Sequence, residues 1–311
     1  MHLQKMHPRS SILLIEKDNV ICGQQSGHNS NVLHAGIYYE PGSLKAQFCV
    51  EGNRELAALC GAFSLPIVRC GKVIVANTYE EIERLEMLLE RGTSNGVPGL
   101  RMLTKPELRE VEPNVEGTKA LYAPHSAVVD YRKIAAVYAE IFKNSGGKLL
   151  LNTEFLSATT VDGGRKVFTT QSDFTTKLVI NCAGLQADLI ARKMGGKPNI
   201  QIIPFRGEYY VLRKESRNLV NGLVYPVPDP SLPFLDVHLT PQVDGSVEAG
   251  PNAVLATMRE GYKRRDFSAR EFGQTLVYPG FWILAGKNLR AGISEINRSL
   301  RKSVFVRSLR K

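Results

Sequence analysis

Short apolar runs alternate with longer stretches of helical periodicity in the first part of the chain. The apolar runs predict strands, which occupy residues 11–17, 71–76, 148–155 and 178–184. The runs at 11–17 and 178–184 are largely apolar throughout, a pattern typical of strands buried on both faces of a parallel sheet. This part of the chain is therefore predicted to contain a parallel sheet with helices packed on it.

Capping residues indicate where the helices between these strands begin. Ser43 is positioned to cap a helix with Leu44, Phe48, Leu56 and Leu59 on its inner face. Thr78 and Glu81 have the spacing of a capping box, in which each side chain bonds the backbone of the other residue. These signals predict a helix on either side of the second predicted strand.

The pattern changes after about residue 200, where Pro and Tyr are frequent and strands alternate polar with apolar positions. The dipeptides Asp162-Gly163 and Asp244-Gly245 are typical of tight hairpin turns. We therefore expect antiparallel strands around both turns and a second, antiparallel domain that includes the later one. From about Asp266 onward the periodicity is mostly helical.

The combination predicts an α/β protein, α+β overall, in which a Rossmann-like domain is interleaved with an antiparallel-sheet domain. We expect the chain to cross between the two domains more than once. The predicted bounds are residues 1–70 and 120–198 for the first domain, 71–119 and 199–265 for the second, and 266–311 for a helical C-terminal region.

Glu16 stands at the end of the first predicted strand. In dinucleotide-binding folds an acid at the end of the second strand accepts hydrogen bonds from a ribose hydroxyl. The glycine-rich turn that accompanies this acid is expected about 20 residues upstream. The residues that precede Glu16 contain no glycine, so the phosphate-binding turn is missing from the predicted domain.

Composition narrows the functional classes. Of 311 residues, 43% are hydrophobic and 23% are charged, which is ordinary for a globular protein, and no apolar run approaches the roughly 20 residues of a membrane span. The net charge of +10 is spread along the chain, and no nucleic-acid-binding signature accompanies it. The five cysteines form no C-x-x-C pair and no histidine cluster is present, so no metal site is predicted.

One long segment carries the clearest functional signal. Residues 25–39, together with 41–46, resemble the flavin-contacting loop of the D-amino-acid oxidase superfamily and, more narrowly, that of the L-2-hydroxyglutarate dehydrogenase family. Further stretches match this family in the same order, at residues 70–76, 95–101, 128–131, 203–209, 224–229 and 250–256. The resemblance covers nearly the whole chain.

The resemblance implies an enzyme that uses FAD to oxidise L-2-hydroxyglutarate to 2-oxoglutarate by hydride transfer to flavin N5. It places His34 and His238 near the flavin and the substrate, as candidate catalytic residues. The cofactor-binding residues that it implies are Glu16, Lys17, Ser26, His28, Asn29, Ser30, Phe155, Ala183 and Gly184.

The chemistry of a 2-hydroxy dicarboxylate suits these residue types. A neutral histidine is a suitable base for the hydroxyl proton near neutral pH. The two carboxylates need cationic partners, for which Arg206 is the first candidate and Lys45 and Arg259 are others. Tyr225 is a further candidate substrate contact.

Structural alternatives exist for several of these residues. His28 can hold its own loop by hydrogen bonds, and His34 lies among small and apolar neighbours that suit a core histidine. Arg206 can pair with an acid, and tyrosines such as Tyr225 more often pack than bind a ligand.

The chain departs from the family pattern at both ends. The first strand, the glycine-rich turn and the C-terminal segment have no counterpart, so the FAD-binding domain is expected to be incomplete. We expect this chain alone to bind FAD poorly and to be marginally folded. Asn31 and Asp236 stand where the family usually has glycine, and both residue types tolerate positive φ better than most.

Two alternatives to the implied activity remain at this point. The first is a catalytically inactive fragment or isoform, and the second is a flavin enzyme for another 2-hydroxy acid, glycerol 3-phosphate or an amino acid. The expected partner is a small dicarboxylate and not a nucleic acid. The electron acceptor, the oligomeric state and peripheral membrane association stay open, and the resemblance to animal members implies a mitochondrial location.

Overall fold

The computed structural model describes residues 1–230 and 237–309. The chain forms two compact units, each built from three segments. The first unit comprises Met1–Asn29, Tyr131–Pro204 and Leu255–Trp282, and the second comprises Ser30–Asp130, Phe205–Val254 and Ile283–Lys311. The chain therefore passes between the units repeatedly.

The elements are as follows in chain order. The strands are β1 (Leu13–Ile15), β2 (Val32–Leu33), β3 (Ile67–Val68), β4 (Lys72–Ala76), β5 (Arg101–Thr104), β6 (Lys119–Ala123), β7 (Ala127–Val129), β8 (Lys148–Leu150), β9 (Phe155–Val161), β10 (Gly164–Thr169), β11 (Phe174–Thr176), β12 (Phe205–Val211), β13 (Leu223–Pro226), β14 (His238–Pro241) and β15 (Val247–Leu255). The helices are α1 (His2–Met6), α2 (Leu44–Ala62), α3 (Tyr79–Ser94), α4 (Lys105–Val111), α5 (Tyr131–Asn144), α6 (Ala187–Lys193), α7 (Ala269–Leu276), α8 (Pro279–Lys287), α9 (Leu289–Leu300) and α10 (Lys302–Leu309). Short 3-10 helices lie at Gln25–Gly27, Gly184–Gln186 and Lys214–Leu219.

The first unit contains a parallel strand pair and an antiparallel hairpin. Strands β1 and β8 run parallel, with Leu13 opposite Lys148. Strands β9 and β10 are antiparallel and meet at Asp162-Gly163, where Gly163 has a φ of 76°. The predicted parallel strand and the predicted hairpin turn are both confirmed.

Two predictions about burial in this unit are wrong. Leu13 and Leu14 are exposed, because β1 pairs only with β8 among the described residues. Residues 178–184 form no strand, and Leu178 and Ile180 are exposed. An apolar run becomes a strand only where a neighbour pairs its backbone groups, and the described residues offer none here.

The second unit is organised around a mixed seven-stranded sheet in the order β12-β15-β14-β13-β4-β6-β5. Strands β13 and β14, β14 and β15, β4 and β6, and β5 and β6 pair antiparallel, whereas β13 and β4 are parallel. The turn at Asp244-Gly245 joins β14 to β15 as predicted, with a φ of 78° at Gly245. The sheet is thus mainly antiparallel, with one parallel pair that the sequence did not indicate.

Helix α3 covers one face of this sheet. Its capping box is present, since Thr78 Oγ1 accepts from the Glu81 amide at 3.3 Å and Glu81 Oε2 accepts from the Thr78 amide at 3.2 Å. Leu85 and Leu88 on this helix are buried against Ile74 of the sheet. Apolar burial on this face supplies the main core of the unit.

Helix α2 begins where the sequence predicted, with the Ser43 hydroxyl accepting from the Ala46 amide at 3.2 Å. The predicted inner face is wrong at Leu44 and Phe48, which are exposed, whereas Leu56 and Leu59 are partly buried. The fully buried residues of the helix are Ala46 and Cys60, and Val50 packs against the main apolar cluster of the unit.

The compact units do not follow the predicted domain bounds everywhere. Residues 30–70 and 120–130 belong to the second unit, where β2 and β3 both pair with β7. The helical segment after residue 266 is divided between the units. Across residues 1–230 and 237–309, no helix is both long enough and apolar enough to cross a membrane.

We expect Leu85→Ala to lower the free energy of unfolding by about 2–5 kcal/mol, because it removes a fully buried side chain and leaves a cavity. Met87→Ala on the same helix is the control, since Met87 is 58% exposed and its loss should change stability by no more than about 0.5 kcal/mol. Urea unfolding followed by circular dichroism measures both. Equal changes in the two variants would show that α3 does not pack as described.

Candidate functional site

The loop of residues 22–29 in the first unit contains most of the predicted flavin contacts. Gly27 is tightly packed, because a Cβ atom there would lie 2.1 Å from the carbonyl oxygen of Cys22. Arg132 of α5 donates from Nη2 to the Gly27 carbonyl at 2.9 Å. The backbone at Gly27 thus packs directly against the Cys22 carbonyl. Only glycine permits this close approach, because it has no Cβ atom.

His28 and Asn29 stabilise this loop internally. The His28 ring stacks on Tyr262 with centroids 4.0 Å apart, and its Nδ1 lies 3.1 Å from the Gln24 carbonyl oxygen. Asn29 Nδ2 donates to the Ser26 carbonyl at 2.7 Å. His28 therefore makes the contacts expected of a residue that holds the loop in shape. Ser26, in contrast, is exposed.

Glu260 connects three segments of the first unit. Its carboxylate accepts from Lys17 Nζ at 2.6 Å, from Gln24 Nε2 at 3.3 Å and from Gln186 Nε2 at 2.8 Å. No local pattern predicts this role, because Glu260 lies far along the chain from all three partners. Lys17, a predicted ribose contact, is thereby fixed at the end of β1.

The remaining predicted cofactor residues of this unit fall at the ends of its elements. The carbonyl of Glu16 accepts from the Thr153 amide at 2.8 Å, two residues before Phe155. Gly184 has a φ of 51°, and a Cβ atom there would lie 3.1 Å from Gln25 Oε1, so Ala183-Gly184 lies beside the loop. These positions fit a dinucleotide such as FAD: a carboxylate for ribose hydroxyls, and glycines where a ligand approaches the backbone.

Ser30 and Asn31 belong to the second unit. Asn31 has a φ of 58°, which matches the expectation for a position where glycine is usual. Asn31 Nδ2 donates to Gln242 Oε1 at 2.9 Å, and Gln242 Nε2 donates to the Ser30 carbonyl at 3.3 Å. Asp236, the other such position, lies outside the described residues.

A cavity of about 340 Å³ lies within the second unit, next to β2 and α3. Its lining is His34, Ala35, Gly36, Ile37, Tyr38, Tyr39, Lys72, Leu88, Arg91 and Pro228. The volume lies in the range of about 300–1,000 Å³ that is usual for small-molecule sites. The buried hydroxyl of Tyr38 has no hydrogen-bond partner among the described residues, so the wall can still bond a ligand.

Two helices hold the segment that carries His34. Asn53 of α2 donates from Nδ2 to the His34 carbonyl at 3.1 Å. Asn95, which ends α3, donates from Nδ2 to the carbonyls of Gly36 at 3.0 Å and Tyr39 at 2.8 Å. The residues of this segment are therefore fixed by backbone contacts, which leaves the His34 ring available to the cavity.

His34 is a neutral imidazole at physiological pH. Burial, followed by the positive fields of Lys72 and His238, lowers its pKa to about 3. His238 is itself buried and stacks on Tyr225 with centroids 3.7 Å apart. The structure thus brings together three predicted site residues, His34, His238 and Tyr225.

Lys72 is the most unusual residue at the cavity. It is only 3% exposed, and its Nζ lies 3.7 Å from the ring centroid of Tyr225 and 4.5 Å from that of Tyr38. Cation–π contacts contribute about 0.5–2 kcal/mol each, which is less than the several kcal/mol that burial of a charge costs. Burial accordingly lowers the pKa of Lys72 to about 7, opposed by the thiol of Cys49.

A second cation reaches the same cavity from α3. Arg91 donates from Nη1 to the Tyr38 carbonyl at 3.1 Å, and its Nη2 lies 3.1 Å from Glu40 Oε2. Its side chain is partly exposed, unlike that of Lys72. The sequence interpretation missed both cations, although a lysine inside the apolar run of residues 70–76 was a detectable signal.

The substrate-binding cations predicted from the sequence lie elsewhere. Arg206 Nη2 pairs with Glu208 at 3.0 Å, and Lys45 is exposed on α2. Arg259 is buried in the first unit, where its Nη2 donates to Asp188 Oδ2 at 2.8 Å. None of the three lines the cavity.

In the described part of the chain, no group of His, Cys, Asp and Glu side chains is arranged to hold a metal ion.

Comparison with known proteins identifies the family. A model of FAD dependent oxidoreductases matches residues 1–279. The chain belongs to the FAD-dependent oxidoreductase family.

Several members of this family are similar to the chain over its whole length. The L-2-hydroxyglutarate dehydrogenases of Indibacter alkaliphilus and Escherichia coli K12 are each 43% identical over 312 residues, which is 100% of this chain and 78% and 74% of theirs. The human mitochondrial L-2-hydroxyglutarate dehydrogenase is 40% identical over 317 residues, covering 98% of this chain and 68% of that protein.

A solved structure supports the same family. The L-α-glycerophosphate oxidase of Mycoplasma pneumoniae with FAD bound is 26% identical and has a TM-score of 0.71, covering 84% of this chain and 70% of that one. The mixed helix and sheet architecture is therefore that of a FAD-dependent oxidoreductase.

We expect Gly27→Ala to weaken FAD binding at least tenfold, because the new Cβ atom would collide with the Cys22 carbonyl and displace the loop. Gly273→Ala in α7 of the same unit is the control, since its Cβ atom meets nothing within 4 Å. Fluorescence titration with FAD measures both. If the two variants bind FAD equally well, the loop does not contribute to the cofactor site.

We expect the stability of the protein to rise relative to that of Lys72→Met as the pH increases from about 7 to 10. The folded pKa of Lys72 is about 7 and the ordinary value is 10.5, so between them the unfolded chain binds the extra proton. Raising the pH removes this advantage of the unfolded state. Urea unfolding across the pH range measures the difference, and the exposed Lys105→Met should follow the unmodified protein. If the free energy of unfolding depends on pH in the same way in Lys72→Met and in the unmodified protein, burial does not lower the pKa of Lys72.

Proposed function

We propose that the chain oxidises L-2-hydroxyglutarate to 2-oxoglutarate with FAD. The observation that carries this proposal is the cavity of the second unit, where a neutral imidazole and two cations line one small space. A 2-hydroxy dicarboxylate needs both kinds of group. The 43% identity to two L-2-hydroxyglutarate dehydrogenases supports the choice of substrate.

The oxidation removes a hydride from C2 and a proton from the C2 hydroxyl. FAD, when bound, supplies the hydride acceptor. His34 is the proposed proton acceptor, because it lines the cavity and is neutral at working pH. A carboxylate bound beside Lys72 would place a negative charge near His34, which favours the protonated imidazole and raises its pKa.

His238 and Tyr225 have supporting roles in this proposal. Their stacked rings form a buried layer next to Lys72, and neither lines the cavity. The field of His238 also contributes to the low pKa of His34, after burial and Lys72. We therefore assign them to positioning rather than to direct proton transfer.

The proposed cofactor contacts keep most of the residues that the resemblance implied. Glu16 and Lys17 meet the adenosine ribose, Phe155 offers its backbone to the adenine, and Ala183 and Gly184 pass close to the cofactor. Ser26 and Ser30 contact the flavin or the pyrophosphate. His28 and Asn29 keep their place in the loop, chiefly by maintaining its shape.

Arg91 and Lys72 replace the earlier candidates as partners of the substrate carboxylates in this proposal. Lys72 and Arg91 line the cavity, whereas Arg206, Arg259 and Lys45 do not. A mitochondrial location remains a prediction, supported by the name of the human relative and not by the names of the bacterial ones.

Anaerobic mixing with L-2-hydroxyglutarate tests the function. We expect the visible absorbance of protein-bound FAD to be bleached by the L-enantiomer and not by the D-enantiomer, glycerol 3-phosphate or an L-amino acid. His34→Ala should slow the bleaching by about 100-fold or more, the usual contribution of a general base. The exposed His125→Ala is the control and should keep the original rate.

Each contrary result rejects a different part of the proposal. A protein that binds FAD but is bleached only by glycerol 3-phosphate or an amino acid has another substrate. A protein that carries FAD and is bleached by none of these compounds is not the proposed oxidoreductase. Unchanged bleaching in His34→Ala removes His34 from the reaction but leaves the substrate assignment intact.

A further inference from the structure

Lys72 occupies a position that the packing of its strand reserves for an apolar side chain. Successive residues of a strand point to opposite faces, so Lys72 shares a face with Ile74 and Ala76. Those two residues belong to the main apolar cluster of the second unit, with Leu85 of α3. Methionine or leucine at this position would suit the core better than an ammonium group does.

The ammonium group has no ion pair with any residue that the structure describes. Its contacts are the faces of two aromatic rings, which hold the nitrogen in place but do not neutralise it. Its side chain also lines the cavity. A buried amine that lines a cavity, with aromatic rings beside it, is suited to receive an anion there.

We propose that Lys72 binds the C1 carboxylate of the substrate and is the main determinant of its recognition. This inference rests on the function proposed above. It adds the residue that recognises the end of the substrate that carries the C1 carboxylate and the C2 hydroxyl. The electrostatic effect of Lys72 on His34 places the two groups near one another. Because C1 is bonded to C2, a C1 carboxylate at Lys72 carries the C2 hydroxyl toward the His34 imidazole.

The other cation of the cavity then serves the far end of the molecule. Arg91 is partly exposed and already shares its guanidinium with Glu40 and the Tyr38 carbonyl. An exposed, shared cation contributes less to binding than a buried, unpaired one. Lys72 therefore dominates affinity, and Arg91 discriminates between dicarboxylates and monocarboxylates.

Anion binding at Lys72 has a protonation signature. Near pH 8 the free protein holds most of its Lys72 as the neutral amine, because the pKa is about 7, and a bound carboxylate favours the charged form. Binding is thus accompanied by proton uptake. The titratable and charged groups that face Lys72 or border its cavity include His34, Tyr38, Cys49, Arg91, Tyr225 and, through its field on His34, His238.

The test uses calorimetric titration of the FAD-supplemented protein with 2-oxoglutarate and with 2-oxobutyrate, which retains only the C1 carboxylate. We expect Lys72→Met to lower the affinity for both ligands at least tenfold and by similar factors. The exposed Lys105→Met should bind both as the unmodified protein does. Titrations near pH 8 in buffers of different ionisation enthalpy should show proton uptake in the unmodified protein and none in Lys72→Met.

Every outcome of this experiment decides the matter. Weakening of 2-oxoglutarate alone assigns Lys72 to the other carboxylate and overturns the proposal, as does unchanged binding of both ligands. Proton uptake that persists in Lys72→Met shows that another group responds to the anion, which also overturns it. Cooperative unfolding of the variant establishes that it is folded, and bleaching of the unmodified protein by L-2-hydroxyglutarate tests the underlying function separately.

Discussion

An ammonium group surrounded by hydrocarbon and aromatic rings is the constraint on which the second unit depends. Lys72 emerges from the first residue of β4 into the face that α3 covers, where burial disfavours its charge. The two tyrosine rings compensate for this only in part. Burial lowers the pKa of the neighbouring His34, and the field of Lys72 lowers it further, so the two groups are electrostatically coupled.

The rest of the unit holds this arrangement rigid. The mixed sheet fixes the backbone of β4 between β13 and β6, and thereby fixes the origin of the lysine side chain. Asn53 and Asn95 bond the carbonyls around His34 from two different helices. Such support orients the groups that line a cavity before any ligand arrives.

In the first unit, too, side-chain contacts hold backbone segments in place. Glu260 joins the end of β1 to the loop and to the 3-10 helix that follows Ala183. Gly27 allows the loop to close on the Cys22 carbonyl, and the stacked rings of His28 and Tyr262 cover it. Several side chains that resemble cofactor contacts in sequence therefore act first on the protein, by giving the loop its shape.

Local signals in the sequence determined much of this protein. The capping box at Thr78 and Glu81 and the two Asp-Gly turns depend on interactions within a few residues, and all of them formed as predicted. The resemblance to a family predicted the loop of residues 22–29 and the histidines as candidate site residues. Only the tertiary structure decided which cations face the cavity, because Lys72 and Arg91 line it and Arg206 and Arg259 pair with acids elsewhere. Burial and charge pairing depend on residues distant in the chain, and no local pattern records them.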